Sequence, residues 1–335
     1  MSAPRYLVTG GAGFIGSSLC AHLVRGGARV AVLDDFVNGS RAKLADALQE
    51  VGADPGDVEV QEGDVRDASA VARAVARADA VFHLACLGVR HSLNHPRENH
   101  EVNASGTLVV LAAAREADVA RFVHVSSSEV YGTARSVPMP ETHPCRPHTV
   151  YGASKLAGEC YARAYHDSYG YPTVVLRPFN AYGPRAHHEG DSGEVIPRFL
   201  LRALAGQPPV VFGDGTQTRD FSYVGDTARG IAEVGLHADA VGQTVNLGAG
   251  RETSILELAQ QIPALIGAEL QPVHEAPRPG DVLRLFADAT LAEERFGYRA
   301  AVDLADGLQR LLVWYRAQGA DAADLLADAP VRNWE

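Results

Sequence analysis

The stretch Thr9-Gly10-Gly11-Ala12-Gly13-Phe14-Ile15-Gly16, near the start of the 335-residue chain, decides the fold. It follows a short apolar run and opens an amphipathic one, as a turn from a strand into a helix does. Gly10 permits the tight turn, Gly13 lets the backbone approach a pyrophosphate, and Gly16 allows close packing of the helix on the strand. The N–H groups at the helix N-terminus, around Phe14 and Ile15, would bind the phosphates. The stretch therefore indicates a dinucleotide-binding βαβ unit.

Short apolar runs alternate with amphipathic stretches through the first half of the chain. The predicted strands are 6–8, 29–33, 58–61, 80–84, 121–125 and 173–176. The predicted helices include 15–24, 68–76, 104–116 and 151–168. Strands that alternate with helices form right-handed crossovers and a parallel sheet covered on both faces. We therefore predict an α/β fold, a Rossmann-type doubly wound parallel sheet.

Beyond Arg177 the pattern becomes shorter and richer in glycine and proline. We predict a dinucleotide-binding domain over 1–177, with a segment near 223–248 returning to it, and a smaller C-terminal substrate-binding domain over 178–335. The Ala/Asp-rich tail after about Gln318 fits a last helix or a loose end equally well, because its pattern favours neither.

The overall composition restricts the partners. A net charge of −11 disfavours nucleic acid, because binding to it needs clustered cationic surface. Four widely spaced cysteines form neither a zinc motif nor a disulfide framework, so we expect free thiols and no metal. The N-terminus has no signal-peptide pattern, and no apolar run approaches the length of a membrane span. We therefore expect a soluble, cytoplasmic protein with neither a membrane nor a nucleic-acid partner.

Acidic residues follow the second and third predicted strands. Asp34 and Asp35 stand about 20 residues beyond the glycines, where a carboxylate can accept hydrogen bonds from ribose hydroxyls and would repel a 2′-phosphate. The cofactor predicted from this position is NAD rather than NADP. Asp64, at the end of the third strand, is expected to reach the adenine amino group, with Asn38 and Val65 as neighbouring contacts.

Two further segments form a predicted proton-transfer site. Ser127 lies in the serine run after the fifth strand, and Tyr151 and Lys155 open a later helix. Their spacing places the tyrosine and the lysine on one helical face. There the ammonium group is expected to lower the pKa of the phenol. A base of this kind removes the proton of an alcohol while hydride leaves its carbon for NAD.

The glycine turn, the acidic residue, the serine run and Tyr-x-x-x-Lys, in this order, resemble the extended short-chain dehydrogenase/reductase superfamily. Within it the chain resembles the NAD-dependent nucleotide-sugar epimerase/dehydratase family from Gly10 to about Asp288, and is similar to UDP-glucose and UDP-glucuronate 4-epimerases. The resemblance implies that Tyr151 is the base for a sugar 4-hydroxyl, that Lys155 also binds the nicotinamide ribose, and that Ser127 orients the hydroxyl. It further implies cofactor contacts at Leu84, Ala85 and Asn103.

The same resemblance implies a substrate side. Segments 177–180, 212–221 and 278–281 match those that contact a nucleotide sugar, and two arginines would clamp its diphosphate. The implied substrate contacts are Ser128, Asn180, Arg185, Val195, Phe212, Arg219, Arg278 and Asp281. The predicted helices 104–116 and 151–168 match those of the family's intersubunit four-helix bundle, so we expect a homodimer.

Members of this family oxidise the sugar to a 4-ketone and differ in the next step. An epimerase returns hydride to the other face, a 4,6-dehydratase removes the carbon-5 proton and expels the 6-hydroxyl, and a decarboxylase loses a uronate carboxylate. Glu129 matches the dehydratase and decarboxylase pattern as a carbon-5 base, and could equally point away and bond to backbone groups. Ser128 lacks the carboxyl group of the dTDP-glucose dehydratases, and segment 182–185 resembles the epimerases and uronate enzymes.

These residues predict an NAD-dependent nucleotide-sugar 4-epimerase first, a 4,6-dehydratase second, a UDP-glucuronate decarboxylase third, and a non-catalytic NAD-binding protein last. The unusual segment 187–194, His-His-Glu-Gly-Asp-Ser-Gly-Glu, is predicted to be a substrate loop rather than a metal site, because it offers no third preorganised ligand. The stretch Arg90-His91-Ser92, after the fourth strand, also departs from the epimerase pattern and is expected to contact the sugar.

Overall fold

A computed structural model describes residues 3–190, 192–278, 280–327, 329–332 and 334. The strands are β1 (Arg5–Thr9), β2 (Arg29–Asp34), β3 (Val58–Glu62), β4 (Ala80–His83), β5 (Arg121–Val125), β6 (Thr173–Pro178), β7 (Ala181–Tyr182), β8 (Val210–Phe212), β9 (Thr218–Asp220), β10 (Ser222–Tyr223), β11 (Thr244–Leu247), β12 (Glu252–Ser254) and β13 (Val273–Glu275). The helices are α1 (Phe14–Arg25), α2 (Arg41–Glu50), α3 (Ala68–Val75), α4 (His91–Asn94), α5 (Pro96–His100), α6 (Thr107–Glu116), α7 (Val150–Tyr169), α8 (Val195–Leu204), α9 (Val224–Leu236), α10 (Ile255–Leu265), α11 (Thr290–Phe296), α12 (Leu304–Gln318) and α13 (Ala322–Leu326).

Seven parallel strands form the main sheet, in the order β11-β6-β5-β4-β1-β2-β3. The chain first runs outward from β1 to β3, then returns to β4 on the other side of β1 and runs the opposite way. The loops after β1 and β4 therefore diverge and leave a crevice at the carboxyl edge of the sheet, which is where ligands bind in folds of this kind. The predicted doubly wound sheet is confirmed.

All six predicted strands are present, and their bounds agree with the prediction within two residues. The helix predicted at 104–116 is α6 preceded by a π-helical turn at Glu101–Gly106. Helix α2 was not predicted. Its buried face consists only of Leu44, Ala47 and Leu48, too narrow a stripe to stand out in the sequence.

Helices cover both faces of the sheet. On one face α1 and α9 bury Leu19 and Ile231 against the strands, and on the other α3 and α6 bury Val71 and Leu111. Full burial of a side chain of this size stabilises the fold by roughly 1.5–3 kcal/mol. The strand ends that carry the polar residues described below are thus supported from both sides.

A second apolar cluster joins α8, α10 and α12 through residues such as Leu200, Leu258 and Leu311. Three short strand pairs, β7 with β10, β9 with β12 and β8 with β13, accompany these helices. Between β10 and β12 the chain returns to the main sheet through α9 and β11, and β11 pairs with β6. A cleft lies between the carboxyl edge of the sheet and this second cluster.

The tail beyond α12 folds back toward β8. Helix α13 packs on the second cluster through Leu325 and Leu326, and the rings of Phe212 and Trp334 lie 4.6 Å apart between centroids. The tail therefore includes a last helix, one of the two arrangements that the sequence left open. Among the residues with a described position, no helix is long and apolar enough to cross a membrane.

Candidate active site

The cleft has a volume of about 460 Å³ and is lined by residues from both parts of the chain. This volume is in the range of small-ligand sites. The loops after β1, β2, β4 and β5 and the start of α7 line it from the sheet, and α8, β8, Arg278 and residues 280–282 line it from the other side.

The glycine turn has the geometry that its sequence predicts. Gly10 has a φ of +70°, and a Cβ there would lie 2.8 Å from the backbone of Ala85. A Cβ on Gly16 would lie 2.0 Å from the carbonyl oxygen of Gly10. The three glycines, Phe14 and Ile15 all line the cleft, and α1 begins at Phe14. The turn is thus too tightly packed for side chains at Gly10 and Gly16, and the cradle that it forms in the cleft offers main-chain groups to an approaching phosphate.

Asp34 lies at the end of β2 beside this cradle. Its carboxylate accepts hydrogen bonds from the N–H groups of Ala12 and Phe36, both at 2.9 Å. Burial raises the pKa of Asp34, and these two hydrogen bonds oppose the rise. A carboxylate has about four acceptor sites, so two remain for ribose hydroxyls. Asp35 and Asn38 also line the cleft.

Two predicted cofactor contacts do not line the cleft. Asp64 is held by Arg66, whose Nη2 donates to its carboxylate at 2.6 Å, while the neighbouring Val65 does line the cleft. The buried amide of Asn103 donates to the carbonyl of Leu87 at 2.9 Å and accepts from its N–H at 2.8 Å. Both side chains are therefore occupied within the protein, Asn103 in fixing the segment after β4. Leu84 and Ala85, the other contacts predicted there, are in the lining.

Ser127, Tyr151 and Lys155 come together on the floor of the cleft. Tyr151 lies in the first turn of α7, whose start is capped by Thr149, the Oγ1 atom accepting from the N–H of Gly152 at 3.2 Å. The buried Nζ of Lys155 donates to the carbonyl of Val125, the last residue of β5, at 2.6 Å. The Tyr-x-x-x-Lys spacing thus attaches α7 to the strand that leads to Ser127.

The pKa of Tyr151 differs in direction from the sequence prediction. Burial raises this pKa and the nearby Cys86 raises it further, whereas a hydrogen bond with Ser127 lowers it. Burial also lowers the pKa of Lys155. Desolvation disfavours both charged forms, so in this chain alone it outweighs the effect expected from the ammonium group.

A buried ionic network beneath these residues was not predicted. Ser126 donates to Glu159 at 2.6 Å, and Arg177 binds both oxygens of the same carboxylate at 2.8 and 2.6 Å. Glu159 belongs to α7, Ser126 follows β5 and Arg177 lies in β6. The network therefore holds α7 and two strand ends in one arrangement. Arg177 stood in a quoted motif, but sequence alone does not show that it pairs with Glu159.

Glu129 is among the residues that line the cleft. It is partly buried, and burial raises the pKa of its carboxyl group. The charges of Arg219, His148 and Arg90 oppose that rise, and Asp281 adds to it. Its charge in turn raises the pKa of Tyr151.

Seven of the eight predicted substrate contacts line the same cleft, namely Ser128, Asn180, Val195, Phe212, Arg219, Arg278 and Asp281. Arg219 is held by Asp281 at 2.7 Å and donates to the carbonyl of Val282 at 2.7 Å. The guanidinium of Arg278 lies 5.2 Å from the ring centre of Phe212 and 5.1 Å from that of Trp334. Pro279, within the predicted closing loop, lies outside the described residues.

Arg185 is the predicted substrate contact that does not line the cleft. It is buried away from the cleft lining, where its Nη1 lies 2.8 Å from both Asp46 and Glu50 of α2. Its Nη2 donates to Ser18 at 3.2 Å. Two carboxylates and a hydroxyl bind its two terminal nitrogens, so Arg185 connects the β7 region to α1 and α2.

Segment 187–194 borders the cleft. Lys43 of α2 contacts Nδ1 of His187 at 3.1 Å, and burial lowers the pKa of this histidine to about 4. His187, Ser192, Gly193 and Glu194 line the cleft, while Asp191 is outside the described residues. In the described part of the chain no three His, Cys, Asp or Glu side chains are grouped as metal ligands would be. Sequence reasoning had selected this segment as a whole, but not Glu194 within it.

Several known proteins are similar to this chain in sequence or in structure. The UDP-glucose 4-epimerase of Mycolicibacterium smegmatis is 37% identical over 93% of this chain and 98% of its own length. The dTDP-glucose 4,6-dehydratase of Streptomyces niveus is 37% identical over 93% of each protein. The solved dTDP-glucose 4,6-dehydratase DesIV of Streptomyces venezuelae, with NAD bound, superimposes with a TM-score of 0.86 at 37% identity, covering 93% of this chain and 97% of that one.

Residues 6–248 match the model of one protein family. This range contains the glycine turn, Asp34 and the Ser127–Tyr151–Lys155 group. The identity to both kinds of relative extends over nearly the whole chain. This protein belongs to the NAD-dependent epimerase/dehydratase family, whose members act on nucleotide sugars.

Proposed function

We propose that this chain is a nucleotide-sugar 4,6-dehydratase, which converts a nucleoside-diphosphate hexose into its 4-keto-6-deoxy form with loss of one water. The observation that carries the proposal is the position of Glu129, a carboxyl group in the cleft next to Tyr151. A reaction that only oxidises and re-reduces carbon 4 has no step for this group.

The residues around the glycine turn fit NAD. The cradle at Gly10, Gly13 and Gly16 would receive the pyrophosphate, and Asp34 would accept from the adenosine ribose and repel a 2′-phosphate. Lys155 would bind the nicotinamide ribose. When bound there, NAD would supply the hydride acceptor for carbon 4 and the positive charge of its nicotinamide ring.

Tyr151 takes the proton of the 4-hydroxyl as hydride leaves carbon 4. Its phenol is buried, so the Ser127 hydrogen bond and positive charge nearby must offset the burial that raises its pKa. Ser127 holds the hydroxyl that reacts. The network of Ser126, Glu159 and Arg177 keeps Tyr151 and Ser127 at a fixed separation, as proton transfer over a hydrogen bond requires.

Glu129 takes the carbon-5 proton, which the neighbouring 4-ketone makes acidic. The 6-hydroxyl then leaves as water, and the bound cofactor would supply the hydride that carbon 6 gains. The protons taken by Tyr151 and Glu129 are used in releasing water and in reprotonating carbon 5, so the cofactor is unchanged over one turnover. Burial, which raises the pKa of Glu129, makes its carboxylate a stronger base than an exposed one.

The second candidate is a nucleotide-sugar 4-epimerase, the function that ranks first from the sequence. The observation that favours it is Ser128, which places a hydroxyl where the dTDP-glucose dehydratases have an acid. An epimerase would use Ser127, Tyr151 and Lys155 in the same way and return hydride to carbon 4 from the other face. We rank the dehydratase above the epimerase because Glu129 lines the cleft.

A uronate decarboxylase needs a cation for the 6-carboxylate, and the arginine that the sequence offered, Arg185, is occupied by Asp46 and Glu50. A non-catalytic NAD-binding protein has no use for Ser127, Tyr151 and Lys155 grouped in one cleft. We rank both after the epimerase.

The test is to incubate the purified protein in D₂O with UDP- and dTDP-linked glucose, with UDP-N-acetylglucosamine and with UDP-glucuronate. The proposal predicts a product lighter by one water, with deuterium at carbon 5. An isomer of unchanged mass without deuterium at carbon 5 would establish the epimerase instead, and loss of carbon dioxide from UDP-glucuronate would establish the decarboxylase.

A further inference from the structure

Glu194 stands immediately before α8, in the N-cap position, yet its side chain forms no capping hydrogen bond with that helix. The carboxyl group borders the cleft instead. Ser, Thr, Asp and Asn at this position normally accept from the first turn of the helix, whereas a glutamate carboxylate is not a common cap. This one is turned toward the space where a ligand would lie.

The main chain holds Glu194 in place. Its N–H donates to the carbonyl of His187 at 2.7 Å, which closes segment 187–194 at its base. Lys43 of α2 contacts the ring of the same His187 at 3.1 Å, and Ser192 donates to Asn38 at 3.2 Å. The segment is therefore tied to the loop after β2 and to α2, on the cofactor side of the cleft.

Two carboxyl groups act on Tyr151, because the charges of Glu129 and Glu194 both raise its pKa. Their surroundings differ. The charged groups acting on Glu129 include Arg219 and Asp281, whereas those acting on Glu194 are Arg90 and Lys43. Of these charged groups, only Arg90 acts on both carboxyl groups. Both residues line the cleft, Glu129 in the turn that follows β5 on the sheet side and Glu194 immediately before α8 on the opposite side.

We propose that Glu194, together with Arg90, recognises the sugar through its substituents at carbons 3 and 2. The inference rests on the proposed function, which places the 4-hydroxyl at Tyr151 and carbon 5 at Glu129. Carbons 3 and 5 are the two ring neighbours of carbon 4, so a ring oriented in this way directs carbon 3, with carbon 2 beyond it, toward the other carboxyl group.

The chemistry of the pair defines the substrate class. An ionised carboxylate only accepts hydrogen bonds and a guanidinium only donates them. Glu194 therefore selects hydroxyl or amide N–H groups, and Arg90 selects an oxygen acceptor such as a hydroxyl or an acetamido carbonyl. Hexoses with a free 3-hydroxyl and either a 2-hydroxyl or a 2-acetamido group fit, whereas sugars with an anionic or deoxygenated carbon 3 do not.

Recognition by Glu194 depends on its ionisation. Burial raises its pKa to about 7, and Arg90 and Lys43 oppose the rise. The other titratable groups on which it acts are Tyr151 of α7 and Tyr315 of α12. Because the pKa is raised, the carboxylate is present above about pH 7 and is lost below it. KM for the sugar should therefore rise as the pH falls through this region.

The experiment compares Glu194→Ala with the wild type on UDP-glucose and dTDP-glucose and on their 2-deoxy and 3-deoxy analogues. We expect kcat/KM for the parent sugar to fall about 10- to 100-fold in the variant, mainly through KM, because a hydrogen bond to a charged group is lost. On the analogue that lacks the contacted hydroxyl, variant and wild type should differ by less than about threefold. Glu194→Gln should also flatten the rise of KM below pH 7.

The matched control is Glu293→Gln, a charge removal on α11 at a side chain that is 55% exposed and does not line the cleft. It should leave kcat/KM unchanged. An unchanged kcat/KM in Glu194→Ala overturns the inference, and so does an equal loss on the parent sugar and both analogues, since that reports a structural role. A wild type that converts no nucleotide sugar overturns the proposed function, and this inference with it.

Discussion

The two ends of the cleft are built by different means. At the cofactor end, one contiguous turn and the residue that closes β2 supply nearly all of the geometry, through main-chain groups and the absence of side chains. At the sugar end, Arg90, Glu129, Tyr151, Glu194 and Arg219 arrive from five separate segments and act through charge. The cofactor end is formed by residues close together in the sequence, whereas the sugar end depends on which distant side chains the fold brings together.

Replacing the central phenol tests the sugar end most severely. In Tyr151→Phe we expect turnover to fall roughly 100- to 10,000-fold, because the ring remains and only the proton acceptor is lost. NAD released on denaturation should be as abundant as in the wild type. Tyr169→Phe, at the exposed far end of the same helix, is the control. Near-normal turnover in Tyr151→Phe would mean that another group takes the proton.

Adding one methyl group tests the cofactor end. In Gly16→Ala the new Cβ would lie 2.0 Å from the carbonyl oxygen of Gly10, so the turn must move. We expect a loss of about 1–3 kcal/mol in the free energy of unfolding and a weakened retention of NAD. Gly88→Ala, where a Cβ meets nothing within 4 Å, is the control for denaturant unfolding. Unaltered stability and NAD content in Gly16→Ala would show that the turn is not constrained as described.

Replacing Arg185 distinguishes a structural role for this residue from the substrate contact that the sequence predicted. If it ties α2 to the rest of the chain, Arg185→Ala should lower the free energy of unfolding by about 1–3 kcal/mol, less than a fully buried pair would lose because Asp46 and Glu50 are 33% and 45% exposed. KM for the nucleotide sugar should stay within about twofold of the wild type, as for a residue that does not touch the ligand. A raised KM without a change in stability would restore the substrate contact that the sequence predicted.

We expect a homodimer, and its loss should change the cleft less than the substitutions above do. We propose that α6 and α7 form its interface, and their exposed apolar residues Leu108, Val150 and Tyr169 fit that role. Sedimentation at micromolar concentration should show a dimer, and Leu108→Glu should shift it toward monomer because a charge would be buried. A monomeric wild type would contradict the dimer without affecting the account of the cleft.

The difference between the two ends also explains what the sequence could predict. The strands, the glycine turn, Asp34 and the Tyr151–Lys155 spacing follow from local periodicity and backbone requirements, and the fold confirms the strands and the sheet. Local sequence could not show that Arg185 faces Asp46 and Glu50, that Asn103 bonds to Leu87, or that burial outweighs Lys155 in setting the pKa of Tyr151. Each of these depends on contacts between residues far apart in the chain or on the depth of burial.

The most direct test of the proposed reaction is solvent-deuterium incorporation at carbon 5 by the wild type and by Glu129→Gln. Glutamine keeps the size of the side chain and removes the base, so a large effect reports proton transfer rather than packing. We predict that the wild type releases water and places deuterium at carbon 5, and that Glu129→Gln retains NAD but loses both activities roughly 100- to 10,000-fold. Normal turnover of Glu129→Gln, with an isomeric product free of deuterium at carbon 5, would contradict the dehydratase and identify a 4-epimerase.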